Sequence, residues 1–291
     1  MIYLLLSIFC NALLFIIIKY FEKFRINNLQ AIVTNYLCAC ALGLMNNHTS
    51  LPLTSVPSAP WAPVAVLLGA LFIIVFTLIA KTAQEVGVSV ATVSNKMSVI
   101  IPVTIAILAY HNSFGMLKAL GIMTALVAVY MTSKKRMDTD HPKTSNTFLL
   151  ILPLIVFLGS GIADAFVNYA QEKLVPKEES SLFVASFFAV AGTIGLVWVI
   201  SELYIKKGKV TIRNILGGIA LGIPNYFSIY FMIKALNTHI YESSVLYPIN
   251  NMGIVILSAA GGYFLLKEKL SPLNIGGIVL SIISIALIAF S

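Results

Sequence analysis

The chain has 291 residues, 59% of them hydrophobic and 10% charged, against roughly 25% charged in an ordinary soluble domain, which excludes a soluble fold of this size. Apolar windows near the ~20 residues that cross a bilayer recur along the whole length, so no room is left for a separate globular domain. The formal charge of +8 does not point to nucleic acid, because the basic residues sit in short clusters between apolar segments, where membrane topology already accounts for them.

Segment one covers residues 2–20 and is closed by Lys19, Glu22, Lys23 and Arg25. Its start, MIYLLLSIFC, lacks a basic n-region, and no small-residue cleavage site follows before Lys19, so it reads as a retained helix rather than a removed signal. Segment two, 29–45, carries Asn35 and Tyr36 and runs into NNHTSLPLTSVPSAPW, an uncharged loop whose prolines stop the helix. Asn47, His48 and Thr49 there fit a glycosylation acceptor, a triplet common by chance. Segments three, four and five are 62–80, 87–112 and 116–133. The charged stretch SKKRMDTDHPKTSN follows, and residues 134–146 read as a linker. The second half repeats the plan at 147–170, 181–205, 212–233, 241–266 and 272–290. Cys10, Cys38 and Cys40 lie in apolar runs without metal-ligand or framework spacing and read as packing residues. No metal and no cofactor are expected.

Segment four, GVSVATVSNKMSVIIPVTIAILAYHN, is apolar enough to cross a bilayer yet carries Lys96 near its middle. A charge there costs at least about 2.5 kcal/mol. Drawn as one helix advancing about 100° per residue, Ser89, Thr92, Ser94, Asn95, Lys96 and Ser98 occupy one half of the circumference. Val90, Val93, Met97, Ile100 and Ile101 occupy the other, which reads as a lipid face opposed to a protein- or water-facing one. Three roles are open to Lys96: a structural partner of a buried carboxylate, a residue lining a substrate path, or a cation snorkelling to an interface.

The matching acid is Asp164, in FLGSGIADAFVNYAQ. Ser160, Asp164 and Asn168 are spaced by four and share one stripe of segment six. Paired with Lys96, Asp164 forms either a static salt bridge or one that opens when substrate or a proton arrives. A carboxyl whose pKa shifts with burial can bind a proton on one side and release it on the other. Direct contact with substrate is the third role.

Segment nine places Ser244, Tyr247, Asn251 and Ser258 on a narrow face, with Pro248 and Asn250 nearby. Segment eight adds Pro224, Asn225, Tyr226 and Tyr230, where proline frees a backbone carbonyl. Neutral hydrogen-bonding groups suit a zwitterionic or polar organic solute better than a bare ion; the plainer alternative is glue between helices. The candidate substrate-binding residues are therefore Lys96, Asn95, Ser98, Asn225, Tyr247, Asn250 and Asn251, with Asp164 the proton-coupling candidate. Glu242 and Glu268, near helix ends, read as solvated interfacial carboxylates. Gly218 with Gly222, and Gly277 with Ser281, read as close-packing pairs.

Five segments follow five, an internal repeat. Aligning Lys81 with Lys234 sets Lys96 opposite Ile249, beside Asn250 and Asn251. Skipping three residues then brings YHNSFGMLKALGI over LKEKLSPLNIGGI. An odd number of crossings reverses direction, so the second copy inserts upside down. Inverted repeats are a signature of secondary transporters, with the site at mid-membrane where the halves meet.

Ten segments in two halves, with VIIPVTIAIL in the fourth and FLLKEKLSPLNIGGIVLSIISIALI from the ninth onward, resemble the drug/metabolite transporter (DMT) superfamily, specifically its EamA-like members. Pro102 matches the proline of the family's first repeat, and Glu268 with Gly276 or Gly277 the turn glutamate and glycine-bearing helix of the second. Asn112 stands where the first repeat carries its glutamate, and Val255 where the second carries its proline.

The expected fold is therefore an all-α integral membrane protein of ten transmembrane helices, as two inverted five-helix repeats at 1–133 and 147–291. The expected activity is secondary active transport of amino-acid-like or other polar organic solutes by alternating access, in a bacterial cytoplasmic (inner) membrane. Export is what the resemblance implies. The expected partners are a small-molecule substrate, membrane lipid and a coupled proton, with no nucleic acid, and a monomer suffices. A lipid or lipid-linked sugar flippase of the same fold and a passive solute channel are the alternatives. An intramembrane enzyme would need a catalytic set such as HExxH, and His48, His111, His141 and His239 all fall at or beyond segment ends. On orientation two readings conflict. Lys19, Lys23, Arg25, Lys134, Lys135, Arg136, Lys206, Lys207 and Lys209 crowd the odd-numbered loops, which places both termini outside; the family resemblance implies both termini inside.

Overall fold

A computed structural model describes residues 2–46, 52–102, 104–105, 116–133, 147–206, 209–236 and 243–289. These residues are helical, without a strand. The α-helices are α1 (Ile2–Lys23), α2 (Asn28–Met45), α3 (Ala62–Glu85), α4 (Val88–Met97), α5 (Met116–Ser133), α6 (Thr147–Lys173), α7 (Ser180–Lys206), α8 (Ile212–Leu236), α9 (Ser243–Phe264) and α10 (Pro272–Ala289). Short 3-10 turns lie at Leu53–Ser58 and Lys177–Glu179. Nine of the apolar segments read from sequence thus become single helices within a few residues of their expected ends, and the fourth does not.

Among the described residues, six helices are long and apolar enough to cross a membrane: those at Ile2–Lys23, Asn28–Met45, Ala62–Glu85, Ile151–Gln171, Ser180–Ile205 and Ile212–Met232. Stretches at Ala119–Thr132, Ile249–Phe264 and Pro272–Leu287 are apolar but shorter. Helix α7 gives the physical reason to place them in lipid: Val197, Trp198, Ile200, Tyr204 and Ile205 are exposed while Phe183, Phe187 and Ala191 are buried. Water would not tolerate so large an apolar face. The protein is a multi-pass membrane protein.

The chain forms two compact units, and each draws on both halves of the sequence. The first comprises Met1–Lys19, Leu78–Gly161 and Ser228–Ser291. In it α5 and α10 run antiparallel. A Cβ at Gly277 would meet Thr132 N at 2.9 Å and Ala128 O at 3.0 Å, and further along Ser284 Oγ donates to Gly121 O at 2.7 Å. The start of α10 is fixed by a reciprocal cap: Asn274 N donates to Ser271 Oγ (3.1 Å) and Ser271 N to Asn274 Oδ1 (3.1 Å), with Pro272 at the position where a missing N–H costs nothing. Helix α9 is antiparallel to α4, with Ser89 beside Gly262 and Val255 in one apolar cluster with Val93, Met97, Ile100, Phe157 and Ile278. Helix α1 lies parallel to α9, Ile8 against Gly253 and Ile16 against Gly261.

The second unit comprises Tyr20–Thr77 and Ile162–Phe227. Here α2 and α7 are antiparallel, pairing Val33 with Gly195, Leu37 with Gly192 and Gly43 with Ala185. Helix α8 runs parallel to α2 through Gly218 on Thr34 and Gly222 on Cys38, and α3 runs parallel to α7 through Gly69 on Val190 and Ile73 on Gly195. The close-packing roles expected of Gly218, Gly222 and Gly277 hold. Aromatic rings fill this unit: Phe72 stacks on Phe187 at 5.0 Å, and Tyr36 Oη donates to Phe72 O at 2.8 Å. At one end the fully buried Trp61 donates its Nε1–H to Glu179 Oε2 at 2.7 Å.

Candidate functional site

Segment four is not one helix. Helix α4 ends at Met97, Ser98 and Val99 form a turn, and helix resumes at residue 100. Pro102 supplies the cause. It has no N–H to give to Ser98 O four residues back, and its ring crowds that carbonyl. The Ser98 carbonyl instead accepts from Ile101 N at 2.9 Å, and the Ser98 hydroxyl donates to Asn95 O. The proline was legible in the sequence; its consequence four residues upstream was the missed signal.

The break explains how a lysine sits here. Lys96 is in the last turn of α4, where the unpaired carbonyls of a helix end carry partial negative charge that favours a cation. It is half-buried, eight residues from the start of α4 and so about 12 Å along the axis. Asn95 is half-buried and donates through Nδ2 to Ser160 Oγ of α6 at 2.9 Å. A Cβ at Gly161 would stand 2.3 Å from Ile101 Cδ1, so α6 meets segment four closely at its break.

The lipid face expected for α4 is overturned. Val90, Val93, Met97 and Ile100 are buried, and so are Ser89, Thr92, Ser94 and Ser98 on the other side. A ten-residue helix that carries this many polar groups is enclosed on all sides because neither face suits lipid alone. Its antiparallel partner α9 carries Asn250 and Asn251 to the level of the break. Asn250 is buried, Asn251 half-buried. Three buried oxygens in this first unit, Ser94 Oγ, Asn250 Oδ1 and Ser258 Oγ, find no hydrogen-bond partner among the described residues; a buried polar group left unpaired costs about 1–3 kcal/mol.

The expected site residues divide between the units. Lys96, Asn95, Ser98, Asn250 and Asn251 belong to the first. Tyr247 lies on α9, and its side chain, like those of Ser244 and Pro248, is outside the described residues. Asn225 and Asp164 belong to the second unit. Asn225 is buried and donates Nδ2–H to Asn35 Oδ1 at 3.0 Å, joining α8 to α2; Asn35 Nδ2 is buried and finds no partner among the described residues. On α6, Asp164 and Asn168 are exposed while Ser160 is buried, so the stripe of three splits between a packing contact and two accessible groups. Glu242, Asn112, the linker and all four histidines lie outside the described residues.

Glu268 is not the solvated carboxylate expected of it. Its Oε1 accepts from Val88 N at 2.6 Å, and its Oε2 from Ser89 N at 3.4 Å and Ser89 Oγ at 3.2 Å. A residue of the α9–α10 loop thus caps α4. Nothing local in the sequence could announce this, because 180 residues separate the partners.

Fold and site together define an all-helical, multi-pass membrane protein whose fourth segment is broken beside a lysine. No protein-family model matches the chain. Along nearly its whole length it is similar to an uncharacterized protein of Haemophilus influenzae, 26% identical over 287 residues, which cover 97% of this chain and 95% of that protein.

Proposed function

We propose that this protein is a secondary transporter of the drug/metabolite-transporter, EamA-like kind, with ten spans in two inverted five-helix repeats. It exports an amino-acid-like or other polar organic solute across a bacterial cytoplasmic membrane by alternating access. The observation that carries this reading is the pairing of equivalent helices. In each unit a helix of the first half packs against the helix five places later, and antiparallel to it: α4 with α9, α5 with α10, α2 with α7. The parallel contacts exchange in the same way, α2 with α8 against α7 with α3, and the contact of α1 with α9 has its counterpart in that of α6 with α4. A two-fold axis in the membrane plane relating the halves produces such a set, and transporters are built on that symmetry with broken helices near mid-membrane.

In this reading Lys96 and the helix start at residue 100 attract an anionic group of the solute, Asn95, Ser98, Asn250 and Asn251 supply hydrogen bonds, and Asp164 carries the coupled proton. The test is a metabolite profile of the medium from cells overproducing wild type, Lys96→Ala or Asp164→Asn at equal membrane abundance. A solute that accumulates outside with wild type, and at least about tenfold less with either variant, a loss of about 1.4 kcal/mol or more in the transport barrier, supports the reading. No wild-type-dependent solute refutes transport; equal release by the variants refutes the site.

A further inference from the structure

We infer that Glu268 is a positioning residue for Lys96, a fixed tie between the first turn of α4 and the end of α9. Three features of the backbone put its carboxylate there. Helix α9 ends in a reversed turn, Leu265 N and Leu266 N both donating to Gly261 O, Lys267 in the left-handed region at φ 55°, and Glu268 N donating to Gly262 O at 2.9 Å. Gly262 leaves the space, since a Cβ there would lie 2.6 Å from Glu268 Oε2. Gly87, at φ 146°, turns the chain into α4 so that the N–H groups of Val88 and Ser89 point at the carboxylate. Each of these glycines would be strained or crowded by a side chain, so both serve the same contact.

The tie lies wholly inside one compact unit, and it grips α4 at the end opposite Lys96. A ten-residue helix fixed at its first turn has its depth and rotation set along its length. Released there, α4 retains the apolar cluster of Val93 and Met97 but loses the bonds that fix its register against α9. Glu268 therefore acts on the site through α4 and touches no solute. The inference rests on the transporter reading only for the purpose of Lys96, and its test needs no transport.

The test uses the full-length protein in membranes with Cys10, Cys38 and Cys40 each changed to Ser. A thiol is introduced by Lys96→Cys, or at a reference position in the other unit by Asp164→Cys, and the rate of reaction with a membrane-impermeant quaternary-ammonium methanethiosulfonate is measured. Glu268→Ala and Glu268→Gln are expected to change the rate at position 96 by at least fivefold and to leave the rate at position 164 within twofold. A covalent substitute should undo the change. Ser89 Oγ is 3.4 Å from a Cβ built on Gly262, so Ser89→Cys with Gly262→Cys in the Glu268→Ala background can be bridged with copper phenanthroline, which takes up the two electrons as two thiol protons are released. The bridge is expected to restore the original rate at position 96, and dithiothreitol to abolish the restoration. Equal rates at position 96 with and without Glu268, zero included, overturn the inference. So does a parallel change at position 164, which would mark a general loss of fold, or a bridge that forms without restoring the rate.

Discussion

Replacing Gly218 by alanine tests how tightly α8 is set against α2. A Cβ at this position would lie 2.4 Å from Thr34 Cβ and 2.5 Å from the carbonyl oxygen of Ala31, where ordinary contact begins at 3.4 Å. Relief therefore requires 3.4 − 2.5 = 0.9 Å of separation from a main-chain atom, which no rotamer change supplies. Alanine is the better helix former by about 0.8–1.0 kcal/mol, whereas overpacking costs about 1–3 kcal/mol. Separation also stretches two buried amide contacts that flank the glycine, Asn214 Nδ2 to Gln30 Oε1 at 2.6 Å and Asn225 Nδ2 to Asn35 Oδ1 at 3.0 Å. Losing one of them adds about 1–3 kcal/mol. The balance is a destabilisation of roughly 1–5 kcal/mol, read as a fall of several degrees in the Tm of detergent-solubilised protein followed by fluorescence-detected size exclusion. Gly276→Ala is the control, because its Cβ would meet only the flexible end of Met131, Cε at 2.9 Å, and it should be neutral or stabilising. A Gly218→Ala protein as stable as wild type, or an equal fall for Gly276→Ala, would refute the reasoning.

Pro102→Ala supplies the N–H that an unbroken helix would give to Ser98 O and removes the ring that crowds that carbonyl, which favours closing the break; export of any solute found for wild type should fall, and undiminished export would sever the break from function. Trp61→Phe keeps the ring bulk but deletes the donor to the Glu179 carboxylate, a charged hydrogen bond worth about 1.5–3 kcal/mol when buried and less here because Glu179 is part-exposed. Its Tm should drop by a few degrees, with Glu179→Gln giving a smaller drop. Asn274→Ala removes the cap of α10 together with the bond from Nδ2 to Thr132 O at 2.9 Å. It should therefore cost more than Ser271→Ala, which removes the cap alone at about 0.5–2 kcal/mol; the reverse order of Tm would refute the shared role.

What the sequence made legible followed from composition and local chemistry. The apolar windows gave helix positions, the start of α10 at Pro272 among them. Gly218 and Gly222 were readable as a close-packing pair because a spacing of four places them on one face. The parts that were misread all depend on residues distant in the chain. Val93 and Met97 read as a lipid-facing stripe because apolar residues on a membrane helix serve lipid and protein core equally well, and only the arrival of α5, α9 and α10 decides between them. Glu268 at a helix end has the same local sequence whether it is bathed in water or bound to α4. The break at Ser98 lay between these cases: Pro102 was visible, but a proline inside an apolar run can be absorbed as a mild bend, as Pro153 and Pro224 are within α6 and α8.

The interleaving of the two halves explains why so polar a helix as α4 persists in this fold. By itself, Val88–Met97 spans about 15 Å, half a bilayer core, and offers lipid a lysine, an asparagine and several hydroxyls. Most of its contacts come from the second half of the chain, with Ala125 and Val129 of α5 completing the apolar side. Glu268 takes the N–H groups of its first turn, Ser160 takes the Asn95 amide, and Val255 and Ile278 cover its apolar stripe. A helix long and apolar enough to be stable in lipid without partners would have no need of those contacts and no reason to hold a cation at depth. In the proposed transporter, the dependence of α4 on distant partners is thus the condition under which Lys96 can be kept in the membrane, and the positions where substitution should move the proposed site, Glu268, Gly262 and Ser160, belong to other segments of the chain.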